Sequence, residues 1–220
     1  RSPGLGLSPL YLEQLIGKTL QRNMFKDDYF FRSDIDSTAN TKRTYSFKRP
    51  WGIPVRYHDF NFFNKTIKPD LFEFHLSYTD MNLELGQYFD KQYDIDFVVH
   101  APELFENSHL MDLATDDQQY REISLKETQR VIDITRSLKK YFPKTIRPQI
   151  VANCGGFSRD SQFSKNKIND LYSQLQKSLK LLDTEGVEII PQTMAPFPWH
   201  FGGQRYQNIF VHADEIVEQC

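Results

Sequence analysis

Imidazoles recur in this chain near the ends of short apolar runs. His58, His75 and His100 stand at or near the ends of three such runs. His200 follows a later one, in a loop of prolines, glycines and aromatics. Histidine titrates near neutrality and binds divalent metals through a neutral ring nitrogen, so such a set suits proton transfer or metal binding. Asp59, Glu73, Asp80 and Glu103 supply carboxylates beside them. A lone histidine at a strand end usually hydrogen-bonds backbone, and it is the repetition that points to chemistry.

Two further stretches have the composition of binding sites. Pro191 to Arg205 combines prolines that fix φ and glycines that permit close approach with Phe197, Trp199 and Phe201 as stacking faces. Aromatic faces suit sugar rings, and Gln192, His200, Gln204 and Arg205 could hold hydroxyls or a phosphate. The alternative is a loop packed by its own aromatics. Asn153-Cys154-Gly155-Gly156-Phe157-Ser158 is a turn whose backbone amides could bind an anion, although a tight strand-to-helix turn explains it equally. Cys154 has no histidine at a diagnostic spacing and reads as a small core residue.

These residues need elements to hold them. The clearest is Ile95–His100, β-branched and aromatic, stopped by Pro102, which reads as a strand buried on both faces. Similar runs are Ile53–Phe60 (carrying Arg56, His58 and Asp59), Leu71–Leu76 (carrying Glu73 and His75), Gln149–Asn153 and Val187–Thr193. Between them, Ser124 and Glu127 have capping-box spacing ahead of Leu125, Ile132, Leu138 and Phe142. Ile168, Leu171, Leu175, Leu179 and Leu182 form a second stripe, closed by Gly186. A last helix begins near Asp214. Strand–helix alternation predicts an α/β fold with a parallel sheet, open or closed into a barrel; periodicity does not choose between them. Ligands of such folds bind beyond the C-terminal strand ends, where these side chains would gather.

The bulk composition excludes several classes. At 220 residues, 39% hydrophobic and 25% charged, the chain is globular. A net charge of -2 gives no electrostatic footprint for nucleic acid, and no run is long enough to span a membrane. Cys154 and Cys220 do not make a disulfide framework, so a cytoplasmic location is expected. Residues 1–36 are turn-rich, with Ser8 placed to cap a short helix ending at Gly17 and strand-like pieces around Lys18–Met24 and Tyr29–Phe31. Residues 37–50 read as a linker.

Two resemblances add to this. Arg1-Ser-Pro-Gly-Leu-Gly-Leu-Ser-Pro, Leu15-Ile-Gly-Lys-Thr-Leu-Gln-Arg and Asp27-Asp-Tyr-Phe-Phe-Arg-Ser-Asp-Ile resemble the second half of an SAF (antifreeze-like) domain of the sialic acid synthase type. In that family the domain caps a partner subunit's active site and an arginine touches the sugar, which implies a homo-oligomer and gives Arg1 that role. Arg1 lies one residue farther from the Pro-Gly turn than the usual arginine. Val98-Val-His-Ala-Pro-Glu and the later Pro-rich loop resemble the xylose isomerase-like TIM barrels, which hold sugar (phosphate) isomerases and epimerases and, more distantly, endonuclease IV. That resemblance implies a divalent metal (Mn, Mg, Co or Zn) with His100 as a ligand. Gln192 stands where a glutamate is expected and Asn153 where a histidine often sits, which puts the metal in doubt.

The expectation is therefore an incomplete xylose isomerase-like TIM barrel of about five βα units over residues 51–220, after a partial SAF domain over residues 1–36. The chain would be a fragment of a sialic acid synthase-like protein of nonulosonate and surface-glycan biosynthesis. The barrel would act on a sugar or sugar phosphate, with His100 and Glu103 as acid and base and Arg56, His58, Glu73 and His75 lining the pocket. A non-catalytic carbohydrate-binding module is the second reading. A metal-dependent nuclease is the third, and the missing basic stripe argues against it.

Overall fold

Side chains on a strand alternate between faces, so a strand with helices on one side only shows two kinds of residue in turn. Strand β2 (Leu71–His75) does this: Phe72 and Phe74 are buried, whereas Leu71, Glu73 and His75 are not. In the computed structural model, which describes residues 6–35, 48–195, 197–198 and 203–219, the chain divides into two compact units, Arg1–Lys48 and Arg49–Cys220.

The second unit is built on five parallel strands. They are β1 (Gly52–Val55), β2, β3 (Asp96–His100), β4 (Gln149–Ala152) and, after a short β5 (Phe157–Ser158), β6 (Glu188–Pro191). The sheet order is β1-β2-β3-β4-β6, the order of the chain, with every pair parallel. A doubly wound sheet reverses its strand order at a switch point; this one never does, which is the winding of a barrel arc. Helices α2 (Tyr57–Thr66), α3 (Gln118–Leu138) and α4 (Lys165–Leu179) supply the other half of the core. Phe60 of α2 is fully buried, with ring centroids 5.1 Å from Phe72, 4.8 Å from Tyr93 and 5.4 Å from Phe142. Val131, Ile132 and Leu138 of α3 and Leu171 and Leu175 of α4 join the same cluster. The opposite sheet face carries Glu73, Val98, Gln149 and Glu188 side by side, with Gln149 Nε2 donating to Glu188 Oε2 at 3.1 Å. A two-stranded antiparallel piece, β5 with β7 (Tyr206–Gln207), follows the end of β4, and α5 (Ala213–Gln219) comes last.

Several boundaries differ from the sequence reading. Ile53–Phe60 is not one strand: β1 stops at Val55 and α2 begins at Tyr57. Asp59 causes the switch, because its carboxylate accepts from Arg56 N at 2.7 Å and closes the first helical turn. His58 is thus an exposed residue of a helix rather than a strand-end residue. Ser124 does not start α3. Asp117 does, accepting from Tyr120 N at 3.0 Å, and Ser124 lies buried in mid-helix.

In the first unit Ser8 caps Pro9–Tyr11, α1 (Leu12–Leu15) follows, and Gly17 turns the chain with φ of +78°. The described residues of this unit form no strand. Around Lys18–Met24 and Tyr29–Phe31 the backbone makes separate hydrogen bonds, Gln21 N to Asp34 O and Leu7 N to Phe30 O, instead of a ladder. Buried Asp34 holds the unit together by accepting from Arg22 Nε and Phe31 N, each at 2.7 Å.

Candidate active site

Parallel registry brings His75 and His100 together. His75 pairs with His100 at the C-terminal ends of β2 and β3, and their rings stack with centroids 4.2 Å apart and planes 12° apart. His100 is buried, and its Nδ1 lies 3.0 Å from Ala101 O. That nitrogen therefore donates to the carbonyl, which leaves Nε2 with the lone pair that a base or a metal ligand needs. His75 is half-exposed, with Nδ1 3.4 Å from Glu73 Oε1. Desolvation holds its pKa below the usual imidazole value, and the neighbouring His100 adds to this, while Glu73 draws it back up.

Arg56 ends β1 one position beyond Val55, which pairs with Phe74, and so falls at the same level of the rim. Its Nη2 lies 2.5 Å from Asp80 Oδ2, a carboxylate that also accepts from Ser77 N and Ser77 Oγ. The turn after β2 thereby fixes the arginine at the end of β1. Its Nε is buried without a hydrogen-bond partner among the described residues.

On the far side of the rim, Gln192 follows β6 and its backbone N donates to Ala152 O at 2.9 Å. His100 pairs with Val151 and Val151 with Ile190, so Gln192, two residues on, extends the row on the face that carries His100. Gln192 and Glu103 line a cleft of about 250 Å³ with Thr193, Met194 and Ala195. The Gln192 Oε1 atom is buried and accepts no hydrogen bond among the described residues. A larger hollow of about 680 Å³ belongs to the first unit, between Tyr11, Lys18 and Arg32, whose side chains are exposed; it is a surface depression.

Not every candidate joins this rim. Gln204 is exposed, and Arg205 lies within electrostatic reach of Tyr120 near the start of α3. Arg1, Trp199 and His200 lie outside the described residues. The Gly155-Gly156 turn does cradle an anion, but one from its own chain. The buried Asp112 carboxylate accepts from Gly156 N at 2.9 Å and Ala114 N at 3.1 Å, with Phe157 and Thr115 amides also turned to it. A Cβ on Gly155 would lie 2.2 Å from Asp112 Oδ1, which is why the turn needs glycine. Asp112 N in turn donates to Ser124 Oγ, which also bonds His109 Nε2. Asn208 locks the other side, donating to Gly156 O and Ser158 Oγ. Cys154 is buried in the core, as its sequence context suggested.

A family model described as a xylose isomerase-like TIM barrel matches residues 57–220. The chain belongs to that family. No curated protein and no solved structure gives a significant match. Members of the xylose isomerase-like family often bind divalent metals, so the donor set here can be tested for fit. Among the described residues, no group of three histidine, cysteine or carboxylate side chains is placed to hold a metal ion. The rim's donors, His75, His100, Glu73 and Glu103, are not gathered into a ligand set, and Gln192 adds only a neutral amide oxygen, whereas such a cation takes four to six donors and favours carboxylates. These residues do not fit a metal. No helix among the described residues is long and apolar enough to cross a membrane.

Proposed function

We propose that the C-terminal rim of this barrel arc binds a sugar or sugar phosphate and moves a proton beside its carbonyl, as an isomerase or epimerase does. The observation that carries this is the registered pair His75 and His100 on one rim with Arg56, Glu73, Glu103 and Gln192. His100 is the base. Its Nδ1 proton is held by Ala101 O, so Nε2 takes the proton from carbon and can return it to the neighbouring carbon. Glu103 exchanges the hydroxyl proton, and no net oxidation occurs. His75, kept neutral by its surroundings, stacks on His100 and fixes the ring plane. Arg56, His58 and Glu73 line the ligand's path, and Trp199 and His200 are proposed as further sugar contacts.

The same proposal extends to the whole protein. Residues 1–36 form the second half of an SAF-like domain and residues 37–50 a linker, a division supported by the unit boundary after Lys48. Arg1 would reach the partner's sugar, and the intact chain would be a cytoplasmic homo-oligomer serving sialic acid-type synthesis. A second reading, a carbohydrate-binding module without turnover, is favoured by the neutral amide of Gln192.

The test is His100→Ala in the intact protein, assayed for interconversion of aldose and ketose sugars and their phosphates. Loss of a base of this kind should lower turnover by about 100-fold or more. Unchanged turnover refutes the assignment. Saturation-transfer NMR signals from a sugar that the protein never converts would favour the binding module.

A further inference from the structure

A buried carbonyl oxygen with nothing donating to it is uncommon, because it has given up its water without replacement. Among the described residues, Gln192 Oε1 is such an atom. It sits at the C-terminal end of a barrel strand, in a cleft it shares with Glu103, on the row that carries His100. Its amide is neutral, so it draws a cation weakly. An oxygen of this kind accepts a hydrogen bond well, and the group that completes it is a hydroxyl. The other cleft residues, Thr193, Met194 and Ala195, are small or apolar. Met194 N is already committed to Phe210 O at 2.9 Å.

We propose that the Glu103–Gln192 cleft is a cation-independent hydroxyl subsite, in which Gln192 Oε1 accepts a hydrogen bond from a neutral hydroxyl of the sugar. This rests on the sugar-binding reading above and adds to it which group is held, by which atom, and without a divalent ion. Glu103 lines the same cleft, so the hydroxyl held by Gln192 belongs to the part of the ligand next to the reacting carbons. Gln192 is then a specificity-determining residue for the epimer whose hydroxyl points toward β6.

The test uses Gln192→Leu in the full chain. Probes are D-xylose, D-fructose, D-glucose and D-mannose with their monodeoxy analogues, followed by saturation-transfer NMR and calorimetry in EDTA and in Mn2+. In wild type, sugar affinity should be equal in EDTA and in Mn2+. Gln192→Leu should lower it about tenfold or more. One monodeoxy analogue should bind wild type and Gln192→Leu alike, which identifies the hydroxyl. The melting temperature of ligand-free Gln192→Leu should be unchanged or higher, since the substitution removes an unpaired buried oxygen. A purely structural glutamine would instead lower it. Equal sugar affinity in wild type and Gln192→Leu, or wild-type binding that vanishes in EDTA, would overturn the inference while leaving the sugar reading standing. No binding of any of these sugars to wild type would overturn both.

Discussion

A carboxylate sealed inside a protein needs N–H groups to replace its water, and Asp112 is offered four, from Gly156, Ala114, Phe157 and Thr115. Burial outweighs them and pushes its pKa up to about 6 from 3.8. An acid whose folded pKa stands above its unfolded value stabilises the fold through its protonated form. That contribution is complete below the unfolded value, shrinks as pH rises, and is gone above about 6. The shift corresponds to ~3 kcal/mol. His75 and His109 act in the opposite sense: desolvation lowers both below 6.5, so the stability tied to their neutral forms is present above that pH and lost as pH falls. Comparison with Asp112→Asn, which keeps an acceptor oxygen but does not titrate, isolates the carboxylate. Between pH 4 and pH 7 wild type should lose ~2 kcal/mol of unfolding free energy relative to the variant. Urea titrations at steps of pH measure this, and parallel pH curves would refute the assignment.

At the scale of elements, the rim depends on where strands stop and helices start. Asp59 ends β1 and begins α2 through one bond to Arg56 N, and Arg56 is a rim residue. Asp59→Ala should cost about 1 kcal/mol in stability, as a lost cap does, and should also weaken sugar binding by loosening Arg56. Urea unfolding and NMR titration on the same sample check both parts; a stability loss with unchanged binding would separate the cap from the site. The sequence was clear about strands and poorer about this junction for a physical reason. Leu71–His75 and Asp96–His100 are short runs rich in Phe, Val and Leu closed by a histidine, and their pattern is local. Val55, Tyr57 and Phe60 have the composition of a strand, and only the carboxylate at Asp59 with the three-residue spacing of Tyr57 and Phe60 marks the helix. Ser124 misleads in the opposite way, as capping spacing within a helix whose hydroxyl serves Asp112 N and His109. The partner of the Gly155-Gly156 turn lies 44 positions earlier in the chain, and no local pattern announces a contact of that range. The gathering of His75 and His100 at one rim was legible because each closes an apolar run, whereas their stacking and the orphaned oxygen of Gln192 depend on register and on what the neighbours fail to donate.

At the scale of the molecule, the apolar core comes from one unit. Every residue of the buried cluster, from Val55 to Phe210, lies after Lys48, and the strands, the packing helices and the aromatic cluster are all in that span. The first unit instead leaves Leu10, Ile16 and Phe25 exposed and relies on the Arg22–Asp34 pair, an exposed cation on a buried carboxylate. Hydrophobic burial sets the melting temperature of a domain, and polar pairs at a surface add little. A chain beginning at Arg49 should therefore unfold cooperatively within a few degrees of the full chain. Its far-ultraviolet circular dichroism should still show the parallel α/β signature. Calorimetry of the two chains is the measurement. A fall of 10 °C or more, on the order of several kcal/mol for a unit this size, would mean that residues 1–48 complete the core rather than accompany it. The same truncation divides the functional reading. If the sugar-directed behaviour of His100 and Gln192 survives in the chain from Arg49, the site belongs to the barrel arc alone; if binding persists and turnover disappears, the first unit contributes to chemistry at the rim.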